Sequence, residues 1–190
     1  MMALSADPAG SLPPWAQDLL HLWFHQMSGA DWFRKNDAVD AMLARRFGRW
    51  LEALLGRPAQ EFLTSPRMAL AAVLLFDQVP RNTQRGSARS FAADPPAVSI
   101  TRGAITRGWH CAMDRDERQF LAMPLMHSED IRDQRLSLAY FAKWHPGTLP
   151  FARSHWCMIA RFARFPHRND VLGRRATPKE QAAIDAGFSR

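Results

Sequence analysis

The chain has 190 residues, 47% of them hydrophobic and 23% charged, a balance that excludes a disordered tail, a collagen-like fibre and a membrane bundle. Folding a chain of this length hides roughly 70% of its surface, enough for a core without disulfides or metal staples. The formal charge is +7, almost wholly from arginine, with 22 Arg against 3 Lys; the arginines alternate with acids, so no phosphate-tracking run exists and nucleic acid is not the expected partner.

Residues 1–12 are small and polar and are expected to form a disordered tail ahead of a single helical domain over residues 13–190. Pro13 and Pro14 open the first helix, because proline fits a first turn where its missing N–H costs nothing. Ser28-Gly29 is expected to end it. Asn36 can cap a second helix, with Asp37 and Asp40 complementing the dipole, and Gly56 and Pro58 stop it. Ser65-Pro66 starts a third, apolar nearly all round and so expected to be central; Pro80 is expected to interrupt it, leaving a turn region over residues 80–93.

Asp94-Pro95 opens another helix to about position 107. Asp114 caps a short one expected to end before Pro124, and Ser128 or Asp130 begins the next. Residues 151–165 read as helical up to Pro166. Last, Thr177 and Glu180 have the spacing of a reciprocal capping box. No segment alternates with period two between hairpin turns, so no sheet is expected. About eight helices joined by short links predict an all-α fold of stacked antiparallel hairpins.

Cys111 and Cys157 stand alone, without metal-ligand spacing, as thiols of a reducing compartment do. No secretory signal is legible, and the longest apolar run, residues 68–76, is half a bilayer span; a cytoplasmic location without membrane contact is the expectation. P-loop, dinucleotide and nucleophile-elbow motifs are absent, and nothing specifies a cofactor.

Three polar segments remain. Residues 76–82 (FDQVPRN) and 162–169 (FARFPHRN) each set Arg-Asn just past a proline. There Arg81 or Arg168 could cover orphan helix carbonyls, with Asn82 or Asn169 holding the turn. Alternatively Arg81, Arg85, His167 and Arg168 line an anion pocket, since guanidinium matches carboxylate or phosphate. Between them, His127-Ser128-Glu129-Asp130 is either a helix start or a histidine tuned by a carboxylate for proton transfer. A metal on His127, Glu129 and His167 has no supporting motif, and none is expected.

These segments, with LWF at 22–24, DWF at 31–33, LLFDQVPRNTQRG at 74–86, MPLMHSED at 123–130, RFPHRNDVLGR at 164–174 and the following TPKE, resemble the bacterial domain of unknown function 924 family. The resemblance implies an all-helical, tetratricopeptide-like fold and no particular activity. It implies glycine where Ala163 stands. Its recurring polar positions fall on Asp77, Gln78, Arg81, Asn82, Arg85, His127, Ser128, Glu129, Asp130, His167, Arg168 and Asn169.

Two functions follow. In the first, these residues meet in one cleft that binds a small anionic ligand. Its proton carriers are His127, Glu129 and His167, and its binding groups are Asp77, Arg81, Asn82, Arg85, Ser128, Asp130, Arg168 and Asn169. In the second, the same charges form a structural salt-bridge network in a helical scaffold that binds a protein partner.

Overall fold

The computed structural model describes residues 12–187, and among them every regular element is helical and none is a strand. The expected tail lies outside these residues except for Leu12, which packs against the core. No helix of the described residues is long and apolar enough to cross a membrane.

Helix α1 (Pro14–His21) starts at the proline pair and passes without a break into a π-helical turn, Leu22–Gln26, closed by Met27 N–H donating to Leu22 O at 2.9 Å. The helix ends at Gln26, just before the expected Ser28-Gly29 stop, and Ser28 also begins α2 (Gly29–Phe33): its N–H and hydroxyl donate to Asp31 Oδ2 at 2.8 and 2.7 Å. In α3 (Asp37–Leu54) the Asn36 Oδ1 accepts from Ala38 N at 3.0 Å. Leu43, Phe47 and Leu51 point to the core at helical spacing, each contributing roughly 1.5–3 kcal/mol on burial. Ser65 Oγ caps α4 (Pro66–Val73) by accepting from Met68 N at 3.2 Å.

Two prolines are absorbed where helix ends were expected. At Pro80 the helix widens into a π-helical turn, Leu74–Gln78, and continues as α5 (Val79–Thr83). Widening moves the upstream carbonyl that a regular proline turn would strike, so residues 80–83 are helical and not a turn. Pro124 lies inside α7 (Arg115–His127). Proline leaves the Phe120 carbonyl, four positions back, without its helical donor, and the next carbonyl, Leu121 O, accepts from Thr101 Oγ1 of a neighbouring helix at 2.8 Å. The helix nonetheless runs on to His127.

The remaining helices are α6 (Asp94–Thr106), α8 (Ile131–Trp144), α9 (Leu149–Phe162) and α10 (Pro178–Asp185). Asp130 caps α8 by accepting from Arg132 N at 2.8 Å, and Thr177 and Glu180 form the expected box on α10. Helix α9 stops before Phe165 because Ala163 takes a left-handed conformation, φ 56°. A Cβ in that conformation costs about 1–2 kcal/mol, partly offset by the greater unfolded-state freedom of glycine. Ala163→Gly should therefore raise unfolding free energy by about 0.5–1 kcal/mol in urea titrations; a loss would contradict the assigned backbone.

Helix α7 is the hub, packed against α4, α6, α8 and α9. Near its start the fully buried Phe120 gathers Trp23 (5.4 Å between centroids), Phe24 (6.0 Å), Trp32 (5.1 Å) and Phe33 (6.1 Å). Met123 and His127 follow at three and seven positions, on the same face. The helix thus runs from an aromatic cluster to a polar corner.

Candidate functional site

Three segments distant in sequence converge on the end of α7. The π-helical turn brings Asp77, wholly buried, to His127, whose Nδ1–H donates to Asp77 Oδ1 at 2.7 Å. Gln78 Nε2 donates to the other carboxylate oxygen at 2.5 Å. One helical turn on, Arg81 Nη1 donates to Asp94 Oδ1 at 2.8 Å, and Nη2 stands 3.5 Å from Asp77 Oδ1. Asp94 then shares its second oxygen with Arg168 Nη1 at 3.0 Å, while Arg168 Nη2 donates to His127 O at 3.0 Å. The Arg168 guanidinium lies 4.4 Å from the centroids of both Phe91 and Phe165, where aromatic faces stabilise a cation that has lost its water. Arg168 thus covers an orphan carbonyl, but one belonging to α7 rather than to the helix that precedes it.

A second shell of pairs surrounds this chain. Ser128 Oγ donates to Asp133 Oδ2 at 2.6 Å, and Arg102 Nε donates to Asp133 Oδ1 at 2.6 Å. Glu129 accepts from Phe165 N–H at 2.8 Å and from Arg174 at 2.7 and 3.0 Å. Asn82 holds its turn as expected, Nδ2 donating to Gln78 O at 3.0 Å. Asn169 does so through its backbone oxygen, which accepts from Arg174 N at 2.7 Å, and not through its amide. Asp130 caps α8 and pairs with exposed Arg132. Arg85 lies further out, on Asp40 at 2.8 Å and on Asn82 Oδ1 at 2.7 Å. His167 is exposed, its ring 5.5 Å from Phe165, and does not line either of the cavities described next.

Two cavities flank His127. The larger, about 460 Å³, is bounded by Asp94, Arg102, His127, Ser128, Glu129, Asp133 and Arg168 over an apolar floor that includes Phe91, Pro95 and Val98. Three carboxylates line it against two guanidiniums. The smaller, about 210 Å³, is bounded by Arg34, Lys35, Arg81, Arg85, Asn82, Gln78, Trp32, Phe33, Met123 and again His127, with no carboxylate. The arginines expected to clamp an anion in one cleft are therefore divided: Arg168 faces the larger cavity already bound to Asp94, and Arg81 and Arg85 face the smaller.

Burial would raise the Asp77 carboxyl, but Arg81, His127 and Gln78 outweigh it and hold it at about 2. Burial and the Arg81 charge push His127 down against the pull of Asp77 and Asp94. At neutral pH this leaves an ionised aspartate beside a neutral imidazole that carries its proton on Nδ1. Nε2 has no hydrogen-bond partner among the described residues. The arrangement is that of a proton acceptor oriented by a carboxylate. Glu129 is also lowered: burial opposes, but the Arg174 and Phe165 hydrogen bonds win. It serves as a fixed anion, and the carboxylate that holds His127 is Asp77, fifty positions upstream.

Asp94, Arg102, Asp133 and His155 belong to this region and were not singled out from the sequence. Asp94 has the look of a helix-start acid, yet Ala93 is the N-cap and the Asp94 carboxylate goes to two arginines. Arg102 and Asp133 sit in mixed-charge stretches indistinguishable from solvated faces. His155, a lone histidine in α9, lies 6.0 Å from the His127 ring, tilted 55° to it, and edge-on to Phe165 at 5.5 Å. Only long-range pairing distinguishes these residues.

Among solved structures, that of a protein of unknown function from Agrobacterium tumefaciens is similar: 35% identical, TM-score 0.85, covering 90% of this chain and 97% of that one. Comparison with curated proteins gives no match. The family model described as bacterial protein of unknown function, DUF924, matches residues 19–187, which takes in the π-helical turn, the end of α7 and the Arg168 turn alike. The chain thus belongs to the DUF924 family, and the segments that build its polar corner lie within the matched residues.

Proposed function

We propose that the larger cavity binds a small polar molecule and that the Asp77–His127 pair exchanges a proton with it. One observation carries this reading: His127 spends Nδ1 on a buried carboxylate, keeps Nε2 unbonded among the described residues, and borders open space. Asp77 fixes the tautomer, Arg81 and Gln78 keep Asp77 ionised, and Ser128, Asp133 and Arg102 offer polar contacts on the same wall. The lining favours a ligand with hydrogen-bond donors or mixed charge there, since its acids outnumber its arginines.

The salt-bridge network and the cleft are not rivals in this reading. Pairing keeps the buried charges neutral overall, and the same pairs form the wall of the hollow. A protein-binding scaffold has less to recommend it: among the described residues the large exposed apolar side chains, Phe33, Leu55, Leu136 and Phe151, fall on four different segments.

The test is a thermal-shift screen of amino acids, nucleosides and small hydroxy acids against the wild type and His127→Gln. A ligand at about one hundred times its Kd stabilises by about 2.7 kcal/mol, roughly 5–10 °C for a chain of this size. The hit should stabilise the wild type and lose most of that shift in His127→Gln, whose fold is checked by circular dichroism. Equal shifts in both proteins would contradict the site.

A further inference from the structure

We infer that the smaller cavity is a separate binding site for a phosphate monoester whose organic part is aromatic or apolar. Its construction is independent of any proton transfer by His127. Arg34, Lys35, Arg81 and Arg85 line it, and no carboxylate does. Asp94 and Asp77 pair with Arg81, Asp37 is 3.2 Å from Lys35, and Asp40 and Asn82 fix Arg85, so three of the four cations are held in place by carboxylates outside the lining. Arg34 has no ionic partner among the described residues. Guanidinium forks of this kind bind the oxygens of a phosphate by paired, charge-assisted hydrogen bonds.

The rest of the lining includes two aromatic rings that are fixed in place. Trp32 Nε1–H donates to Trp23 O at 3.0 Å, so the indole is locked with its polar atom already satisfied. Phe33 lies parallel to buried Phe120, 7° between planes, while remaining 58% exposed. A large exposed ring held rigid beside cations is apolar surface awaiting cover. Helix α2 exists to present this edge: Ser28 and Asp31 close its first turn, and Arg34 leaves it in extended conformation with Lys35 following. A bare phosphate would leave much of a 210 Å³ space and both rings unused.

The experiment titrates inorganic phosphate, phenyl phosphate and phenylacetate into the full chain, with wild type, Arg34→Gln/Lys35→Gln and Arg102→Gln compared by calorimetry. Phenyl phosphate should bind about tenfold or more tighter than either inorganic phosphate or phenylacetate, a difference of the size expected from adding one good contact group. The double variant should weaken phenyl phosphate by about tenfold, and Arg102→Gln, in the larger cavity, should leave it unchanged. In NMR spectra, saturation should move the His127 ring signals, since that ring closes the cavity. Binding indifferent to Arg34 and Lys35, or no saturable binding, would overturn the site. Phenylacetate binding as tightly as phenyl phosphate would overturn the phosphate assignment, and inorganic phosphate matching phenyl phosphate would overturn the role of the rings. Failure here leaves the His127 reading standing, because that reading is tested through His127→Gln in the other cavity.

Discussion

Asp94→Ala should lower the unfolding free energy by about 3–5 kcal/mol, the usual cost of stranding a buried charge by removing its partner. Asp94 bridges two arginines, at 2.8 Å to Arg81 and 3.0 Å to Arg168. Without it Arg81 still has Asp77, but Arg168, only 6% exposed, keeps one carbonyl and two aromatic faces. Burial and the Arg81 charge already pull Arg168 down to about 10 with Asp94 present, so its loss removes the main counterweight. At roughly 2–4 °C per kcal/mol, the melting temperature should fall by about ten degrees. The double variant Asp94→Ala/Arg168→Met should recover much of that loss, because methionine fills the space between Phe91 and Phe165 without a charge. A loss under about 1 kcal/mol in urea titrations of Asp94→Ala would show that the network does not hold this corner.

Acid should unfold the protein through its histidines before its carboxylates. Burial, reinforced by His127 and Arg168, holds His155 at about 4, against 6.5 when unfolded. A depressed pKa makes the group contribute fully above the unfolded value and progressively less below it, as the unfolded chain takes up the proton first. Stability should therefore be flat above pH 6.5 and fall between pH 6.5 and 4, by about 3 kcal/mol from His155 alone at 1.36 kcal/mol per pKa unit. His127, His110 and His145 are lowered in the same direction, each first of all by burial, and add to the slope. His155→Asn, which retains a donor for the Phe151 carbonyl that His155 Nδ1 reaches at 2.8 Å, should flatten this limb and leave neutral-pH stability within about 1 kcal/mol of wild type. An unchanged slope would place His155 in solvent.

Helix starts were legible because capping is local. Asn36, Ser65, Asp114 and Thr177 each accept from backbone N–H groups one turn on, as their positions predict. Proline stops were misread for the opposite reason. Pro80 is passed by a π-helical widening and Pro124 lies inside a helix packed on four others, and neither circumstance is visible in a window around the proline. Ala163 shows the two kinds of information combining: the resemblance implies glycine there, and the left-handed backbone gives the physical reason.

In the candidate site the same boundary recurs. Asp77, Arg81, His127, Ser128, Glu129 and Arg168 were legible as polar residues interrupting apolar segments at helix ends. Their partners were not. Asp94 and Asp133 resemble ordinary first-turn acids, and only the 74-residue separation closed by the Arg168–Asp94 pair reveals what Asp94 holds. The division of the arginines between two cavities is likewise a property of the packing of α2 and α7, which no spacing within either helix encodes.

The proposed site requires a neutral His127 held by Asp77, with its other nitrogen unbonded among the described residues. Nitrogen-15 NMR of the imidazole reads this directly. At pH 7 the expected result is a proton on Nδ1, none on Nε2, and a downward shift of the His127 pKa on Asp77→Asn, since Asp77 favours the protonated ring. A proton on Nε2 instead, or a His127 pKa that ignores Asp77, would contradict it.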